Sequence, residues 1–353
     1  MEFWKVISPS VVVGLAVVMA APPAFAQAVS GAGATLPQKG YLRWSEAYAA
    51  QGGGTIHYEG IGSGGGISAV RDKRVDFGAS DVPMTRDELE TLGFRQFPTL
   101  LSAVVPVVNL PGIFANQLRL DGAALAGLMS GKIAKWNDPA LASLDPDLKL
   151  PALPVSVFYR GERSGTTAVF SAFLSQVSPA WKAAIGEGQQ VIWPGGTAVE
   201  KTSGMAEAVR KTPGAIGYLD FADAVQNNLA LVQLRNPFNA FVKPDMDSIR
   251  AATKFAEWRR NQFDEDPTFD TSLINQPGNN AWPITTATFV IVPVKSRDQN
   301  KTRETLKFFR WALDSGDNII VQSGYVPLSD SVKTMVKGSW KKNFFDASGK
   351  PLM

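Results

Sequence analysis

The chain has 353 residues, 45% of them hydrophobic, enough to bury a large core in one domain or two lobes. Charged residues make up 19% and the formal net charge is +3, a mild basic excess without long runs; it argues for anionic partners only weakly and against a nucleic-acid binder. With no cysteine and a single histidine, His57, the sequence excludes disulfides, a thiol nucleophile, a lipid-modified N-terminal cysteine, and thiolate or histidine-rich metal sites. A carboxylate-only calcium or magnesium site stays open, but no EF-hand-like spacing occurs.

Residues 1–26 read as a secretory signal peptide: Lys5 in the n-region, an apolar stretch over 11–21, and Ala24-Phe25-Ala26 at the cleavage site. The apolar run is short for a membrane span, and no later stretch approaches that length. The mature chain then starts at Gln27 and works as an exported protein, in a bacterial periplasm.

Gly31-Ala32-Gly33-Ala34-Thr35-Leu36-Pro37 leads into a helix with Tyr41, Trp44 and Tyr48 on one face. Pro37 suits the first helical turn, where its missing N–H costs nothing. The N–H groups of Thr35 and Leu36 are then near a helix start, a possible anion seat; a flexible mature N-terminus explains the same residues. Residues 55–59 predict a strand, followed by Gly60-Ile61-Gly62-Ser63-Gly64-Gly65-Gly66, a short helix over 67–71 and a strand over 75–78. This glycine-rich turn is a second possible anion seat, with Ser63 as hydroxyl. It also matches G-x-G-x-x-G with Asp81 about 20 residues on, the outline of a dinucleotide site. The helix is too short for that crossover, and an exported protein has no obvious dinucleotide supply. Asp81 follows a small-residue strand end, where α/β proteins place ligand groups; capping the next helical turn at Asp87-Glu88-Leu89 competes as an explanation.

Residues 102–110 predict a buried strand, 121–129 a helix, and Asp138-Pro139 and Ser178-Pro179 two more helix starts. Between them a strand over 155–159 runs into Arg160-Gly161-Glu162-Arg163-Ser164-Gly165-Thr166-Thr167, then an amphipathic helix over 168–176. A helix start exposes unpaired N–H groups and the positive end of the macrodipole. Ser164, Thr166 and Thr167 can add hydroxyl donors, Gly165 admits a ligand close to the backbone, and Arg160 can grip two oxygens of one anion. Taken alone, the segment serves equally as an N-cap beside a surface arginine. Further strands are expected over 215–219 and 288–292, and helices over 302–313 and from Ser329-Asp330. Residues 236–244 and 264–280 read as irregular loops. Helices alternate with short strands throughout, which predicts α/β architecture with largely parallel sheets.

Hydrolase chemistry finds little support. His57 is the sole candidate base for a serine triad and lies in an alternating strand pattern, and Ile61 stands where a G-x-S-x-G elbow around Ser63 needs glycine. What remains is glycine/hydroxyl helix openings, one arginine and one carboxylate. A carboxylate beside an anion is repulsive unless the anion has a proton to donate. Phosphate at neutral pH has one and sulfate does not. A site with both Arg160 and Asp81 would therefore accept HPO₄²⁻ or H₂PO₄⁻ and reject sulfate.

Gly31-Ala32-Gly33-Ala34-Thr35, Gly60-Ile61-Gly62-Ser63-Gly64-Gly65, Asp76-Phe77-Gly78-Ala79-Ser80-Asp81, Ser164-Gly165-Thr166-Thr167, Gly214-Ala215-Ile216-Gly217-Tyr218 and Trp282-Pro283-Ile284-Thr285 occur in that order. Together they resemble the periplasmic phosphate-binding proteins of Pst-type ABC importers, from about Gly31 to the chain end. The resemblance implies a two-lobe periplasmic-binding-protein (Venus flytrap) fold with two hinge crossovers, residues 27–103 and 279–353 forming one lobe and 104–278 the other. It implies a monomeric, non-enzymatic receptor that holds dehydrated inorganic phosphate between the lobes without metal or cofactor, and passes it to an inner-membrane ABC permease. The implied ligands are Thr35, Leu36 through its N–H, Ser63, Asp81 as acceptor of the phosphate proton, Arg160, Ser164, Gly165 and Thr166. Two departures from the family pattern occur: Leu36 stands for a usual phenylalanine, and Glu162-Arg163 for a usual Asp-Gly, with Glu162 expected to steady Arg160. The alternatives are a same-fold receptor for another oxyanion or an organic phosphate, and, from another class, an exported phosphatase or other hydrolase.

Overall fold

The structure, a computed structural model, describes residues 28–258 and 266–353 together with Met1. The expected signal peptide and its cleavage point lie outside the described residues, as does the start of the polar loop at Asp264.

The N-terminal glycines are not a loose lead-in. They lie in β1 (Val29–Gly33), a largely buried strand. Small residues are required there: a Cβ at Gly31 would lie 2.0 Å from the Phe77 ring, and one at Gly33 would lie 2.1 Å from the Ala79 carbonyl oxygen. In α1 (Gln38–Ala50), Tyr41 and Trp44 are buried, and Pro37 is the N-cap rather than the first helical residue. β2 (Ile56–Gly60) alternates buried and exposed positions, which turns His57 outward. α2 (Ser63–Arg71) begins before the apolar pattern does, so the glycine run is its first turn. That turn passes close over β1: a Cβ at Gly66 would lie 2.5 Å from the Gly33 Cα. After β3 (Phe77–Ser80), Thr85 and Glu88 form the capping box of α3 (Arg86–Leu92), so Asp81 is not its cap.

β4 (Phe94–Asn109) spans 16 residues and starts well before the expected Ser102. Arg95 and Pro98 disguise its first part. Pro98 lies opposite Phe289 at a β-bulge, a position that tolerates a missing N–H. Then come β5 (Arg119–Leu120), α4 (Gly122–Met129) and α5 (Pro139–Ala142), the two helices capped by Asp121 and Asp138. β6 (Ser156–Arg160), α6 (Gly165–Val177), α7 (Pro179–Ala184), β7 (Thr197–Val199), α8 (Lys201–Lys211), β8 (Ala215–Asp220) and α9 (Phe221–Gln226) follow. β9 (Ala230–Leu231) and β10 (Gln233–Arg235) precede β11 (Phe241–Val242), a short strand inside a stretch expected to be irregular. α10 (Met246–Ala251), β12 (Thr285–Pro293), α11 (Gln299–Ser315), α12 (Asp317–Gln322) and α13 (Asp330–Asn343) complete the chain.

The large sheet has the order β2-β1-β3-β12-β4-β8-β6-β7, with β9 also on β4. The pairs β1–β2, β1–β3, β6–β7 and β6–β8 are parallel, but β12 and β4 run against their neighbours. The sheet is therefore mixed rather than largely parallel: its flanks are parallel α/β units and its centre is antiparallel. β4 is shared between the halves, residues 94–103 pairing with β12 and residues 104–109 with β8. On one side Phe309 packs edge-on against Tyr41, Phe77 and Phe97; on the other Phe170 and Trp193 stack on Tyr218. Such ring pairs contribute about 0.5–1.5 kcal/mol each beyond burial. Among the described residues, no helix is long and apolar enough to cross a membrane.

Candidate functional site

The side chains singled out in the sequence lie at strand ends and at the helix starts that follow them. Thr35 and Leu36 fill the turn from β1 to α1, Ser63 opens α2, and Asp81 follows the last residue of β3. Arg160 ends β6, Ser164 is the N-cap of α6, and Gly165 and Thr166 are its first residues. The carboxyl ends of parallel strands are where open α/β sheets place ligands. All of these side chains are buried.

Two sub-clusters meet. In the first, Arg160 donates through Nη2 to Thr35 Oγ1, 3.4 Å, although one lies on β6 and the other follows β1. Its Nε donates to Glu162 Oε1, 2.7 Å, and Nη2 also reaches that oxygen. Lys201 N–H donates to the same carboxylate oxygen, 3.0 Å. Glu162 thus holds Arg160 as the sequence suggests. Burial opposes ionisation of Glu162, but the hydrogen bonds and charge of Arg160 outweigh it and hold its carboxyl below the usual range. Behind β6, the Tyr218 hydroxyl accepts from Arg160 N–H, 3.2 Å, and pairs with Thr167 Oγ1, 2.8 Å. Burial pushes this phenol up to about 12, so it stays neutral.

The second cluster surrounds Asp81. Its N–H donates to Ser63 Oγ, 3.1 Å, the Thr288 hydroxyl donates to its Oδ1, 2.9 Å, and the Thr286 hydroxyl donates to its carbonyl, 2.7 Å. Gly165 sits against this pair: a Cβ there would lie 2.1 Å from Ser63 Oγ and 3.0 Å from Asp81 Oδ2. Only glycine lets the start of α6 come this near to α2 and β3. Burial pushes the Asp81 carboxyl up to about 7, against the lowering effects of the Thr288 hydroxyl and the Arg160 charge. Ser164 Oγ accepts from Thr167 N–H, 3.3 Å, and keeps its own proton for another acceptor. Leu36 is held through its carbonyl, which accepts from the Tyr325 hydroxyl, 2.8 Å. Thr166 is buried in the first turn of α6 beside Gly165.

Thr202, Thr286 and Thr288 carry no mark in the motifs of the sequence, and Tyr218 is in one of them without a role at the site assigned to it. The alternation Thr286-Ala287-Thr288 is a usable signal, since it puts two hydroxyls on one face of β12. Thr202, 3.0 Å from Thr35 Oγ1, gave no comparable signal beyond a polar helix start.

The arrangement suits a small, desolvated, proton-bearing oxyanion. It offers one fixed cation, several hydroxyls, the starts of α1, α2 and α6, and one acceptor whose protonation is poised near neutrality. Among the described residues, no group of three His, Cys, Asp or Glu could hold a metal ion. A crevice of about 390 Å³ opens beside Thr35 and Thr202, with Lys39, Arg43 and Lys201 and the carboxylates Glu46 and Asp223 on its walls. A second of about 290 Å³ opens beside Asp81 and carries Glu187 and Asp270.

A PBP superfamily domain is matched over residues 20–315. The chain is 39% identical to the phosphate-binding protein PstS of Xylella fastidiosa strain Temecula1 over 316 residues, 90% of this chain and 85% of that one. It is 39% identical to the protein of the same name from Haemophilus influenzae over 320 residues, 91% and 94% of the two chains. In fold it is similar to a high-affinity periplasmic phosphate-binding protein, PfluDING, solved with phosphate, at a TM-score of 0.70 and 21% identity over 90% of this chain and 95% of that one.

Proposed function

The chain belongs to the PBP superfamily, in the family of the phosphate-binding protein PstS, and from that premise we propose that it is a receptor for inorganic phosphate. The observation that carries this reading is a buried arginine and a buried carboxylate sharing one site of hydroxyls and helix starts. Arg160 supplies a fixed positive charge and the one guanidinium N–H, on Nη1, that Glu162, Thr35 and Thr202 leave open. Thr35, Ser63, Ser164 and Thr166 add hydroxyls, and the backbone N–H groups of Leu36 and Gly165 add the favourable ends of α1 and α6. Asp81 accepts the hydrogen that phosphate retains at neutral pH. Sulfate has no such hydrogen and meets an unpaired acceptor, which costs about 1–3 kcal/mol or more when that acceptor is charged.

In this reading residues 27–103 and 279–353 make one lobe and 104–278 the other, joined by β4 and by the return into β12. Hinge closure over the ion removes water and strengthens every contact to it. The protein works as a periplasmic monomer after removal of its signal peptide, hands phosphate to an inner-membrane ABC permease, and turns nothing over. The PstS relatives and the motif order along the chain support this.

Isothermal titration of ligand-stripped protein tests the reading. Phosphate should bind at micromolar Kd or tighter, about −8 kcal/mol or better, and excess sulfate should not displace it. Equal binding of both anions overturns the role given to Asp81. Absence of phosphate binding overturns the receptor, and hydrolysis of a chromogenic phosphate ester, with or without divalent metal, would replace it by an enzyme.

A further inference from the structure

Thr202 lies outside every motif that marks the site, yet it touches two of the site's members. Its Oγ1 is 3.0 Å from Thr35 Oγ1 and accepts from Arg160 Nη1, 3.4 Å. Both threonines are buried, at 5% and 8% exposure, at the inner wall of the crevice of about 390 Å³. Thr35 follows β1 and Thr202 opens α8, so this contact joins the two flanks of the sheet. The start of α8 is itself held in an unusual way. Lys201, not a glycine, has φ 60°, in the left-handed region, and that conformation accompanies the bond from its N–H to Glu162 Oε1, 3.0 Å. Arg160, Glu162, Lys201 and Thr202 thus form one connected group that places a hydroxyl against Thr35.

A hydroxyl has one proton to give and two lone pairs to fill. In the contact between Thr35 and Thr202, either oxygen can be the donor. If Thr35 donates to Thr202, its proton is used and it cannot donate to an anion. If Thr202 donates to Thr35, then Thr35 Oγ1 accepts from Thr202 and from Arg160 Nη2, both lone pairs are filled, and its proton is left for the ligand. Charge-assisted and chained hydrogen bonds also polarise the last donor in the row. We propose that Thr202 is a positioning residue for anion binding: it donates to Thr35 Oγ1 and so aims the Thr35 proton at the bound oxyanion. Thr202 does not touch the ligand and acts through Thr35. This rests on the reading of the site as a phosphate receptor.

The experiment is a double-mutant cycle on the full mature chain, with inorganic phosphate as probe. Thr202→Val keeps the shape and removes the hydroxyl; Thr202→Ser restores it. Phosphate affinity of T202V should fall by roughly tenfold, carried mainly by faster release measured by stopped flow. T202S should stay within about threefold of wild type, and T202V added to Thr35→Val should cost less than about threefold more than Thr35→Val alone. A purely structural role would instead lower the melting temperature of the ligand-free protein and add its full cost on the Thr35→Val background. Unchanged affinity in T202V, or a full tenfold loss added to that of Thr35→Val, overturns the proposal. Failure of the wild type to bind phosphate overturns the receptor reading first, and is seen separately from either result.

Discussion

The two charged groups of the site are treated in opposite ways by their surroundings. Arg160 is surrounded by partners: Glu162 takes its Nε and Nη2, Thr35 and Thr202 accept from the guanidinium tips, and Tyr218 accepts from its N–H. Asp81 is just as buried but has one side-chain donor, Thr288, and burial outweighs that bond and the Arg160 charge. One group is fixed in charge and in place, while the other changes charge near neutral pH. The difference separates affinity from selection. Under the proposed function, the arginine would hold any small oxyanion and the carboxylate would ask whether that anion carries a proton.

The largest break in this contrast is at the arginine. Arg160→Met removes the only buried cation at the site among the described residues and strands Glu162 without its partner. Loss of one member of a buried charge pair costs about 3–5 kcal/mol. Titration should show phosphate affinity lowered by two orders of magnitude or more, and thermal unfolding of the ligand-free variant should come earlier. A variant still binding within tenfold of wild type would remove Arg160 from the anion's contacts.

Asp81→Asn acts on the other side and in two directions. In the native protein the carboxyl titrates at about 7, above its ordinary value of 3.8. Between about pH 4 and 7 the native state therefore binds more protons than the unfolded chain, and stability of the free protein falls as pH rises through that window. Asparagine carries no such cost, so the variant should be more stable than wild type at pH 8, by up to about 3–4 kcal/mol, and the two should converge near pH 4. Selection moves the opposite way: the variant should let sulfate compete with phosphate at pH 8. Wild type should show the same loss on its own as pH drops below 7, because a protonated Asp81 can donate to sulfate. Melting curves that run parallel from pH 4 to 8, or sulfate exclusion unchanged at pH 5.5, would show that Asp81 does not titrate in this range.

The same contrast explains what was legible beforehand. Ser63, Ser164, Gly165 and Thr166 stand out because a glycine beside a hydroxyl at a helix start has a local signature, and Arg160 and Asp81 stand out as charges at strand ends. Their partners do not. Thr288 reaches Asp81 because β12 runs antiparallel to β3 with Phe289 opposite Ser80, which brings the next residue of each strand together, and Thr202 reaches Thr35 across 167 residues of chain. The antiparallel centre of the sheet was hidden for a related reason. β12 is separated from β4 by the whole run from β5 to α10, and no local period tells a returning strand which way it will pair. The glycine run at Gly64-Gly65-Gly66 misled in the other direction. It reads as a turn ahead of a helix that starts at Ile67, whereas it is the first turn of that helix, thin enough to lie on Gly33 and Ala79.

The smallest expected effect concerns the charge the contrast leaves out. Arg163 stands next to Ser164, but it is exposed, and its Nε lies 2.9 Å from where a Cβ on Gly64 would be. It has no left-handed backbone angle among the described residues, so a glycine there would relieve no strain. Its charge reaches the ligand only from the rim, through solvent, where screening falls off over about 8–10 Å at ordinary ionic strength. Rim charges act on the rate of encounter more than on the bound state. Arg163→Gly should therefore slow phosphate association by a few-fold in low salt, leave release unchanged, and match wild type once about 0.5 M chloride shortens the screening length to a few ångströms. A tenfold loss that persists in high salt and appears in the release rate would place Arg163 in contact with the anion. The site would then hold two cations against one carboxylate, and fixed charge could no longer be assigned to Arg160 alone.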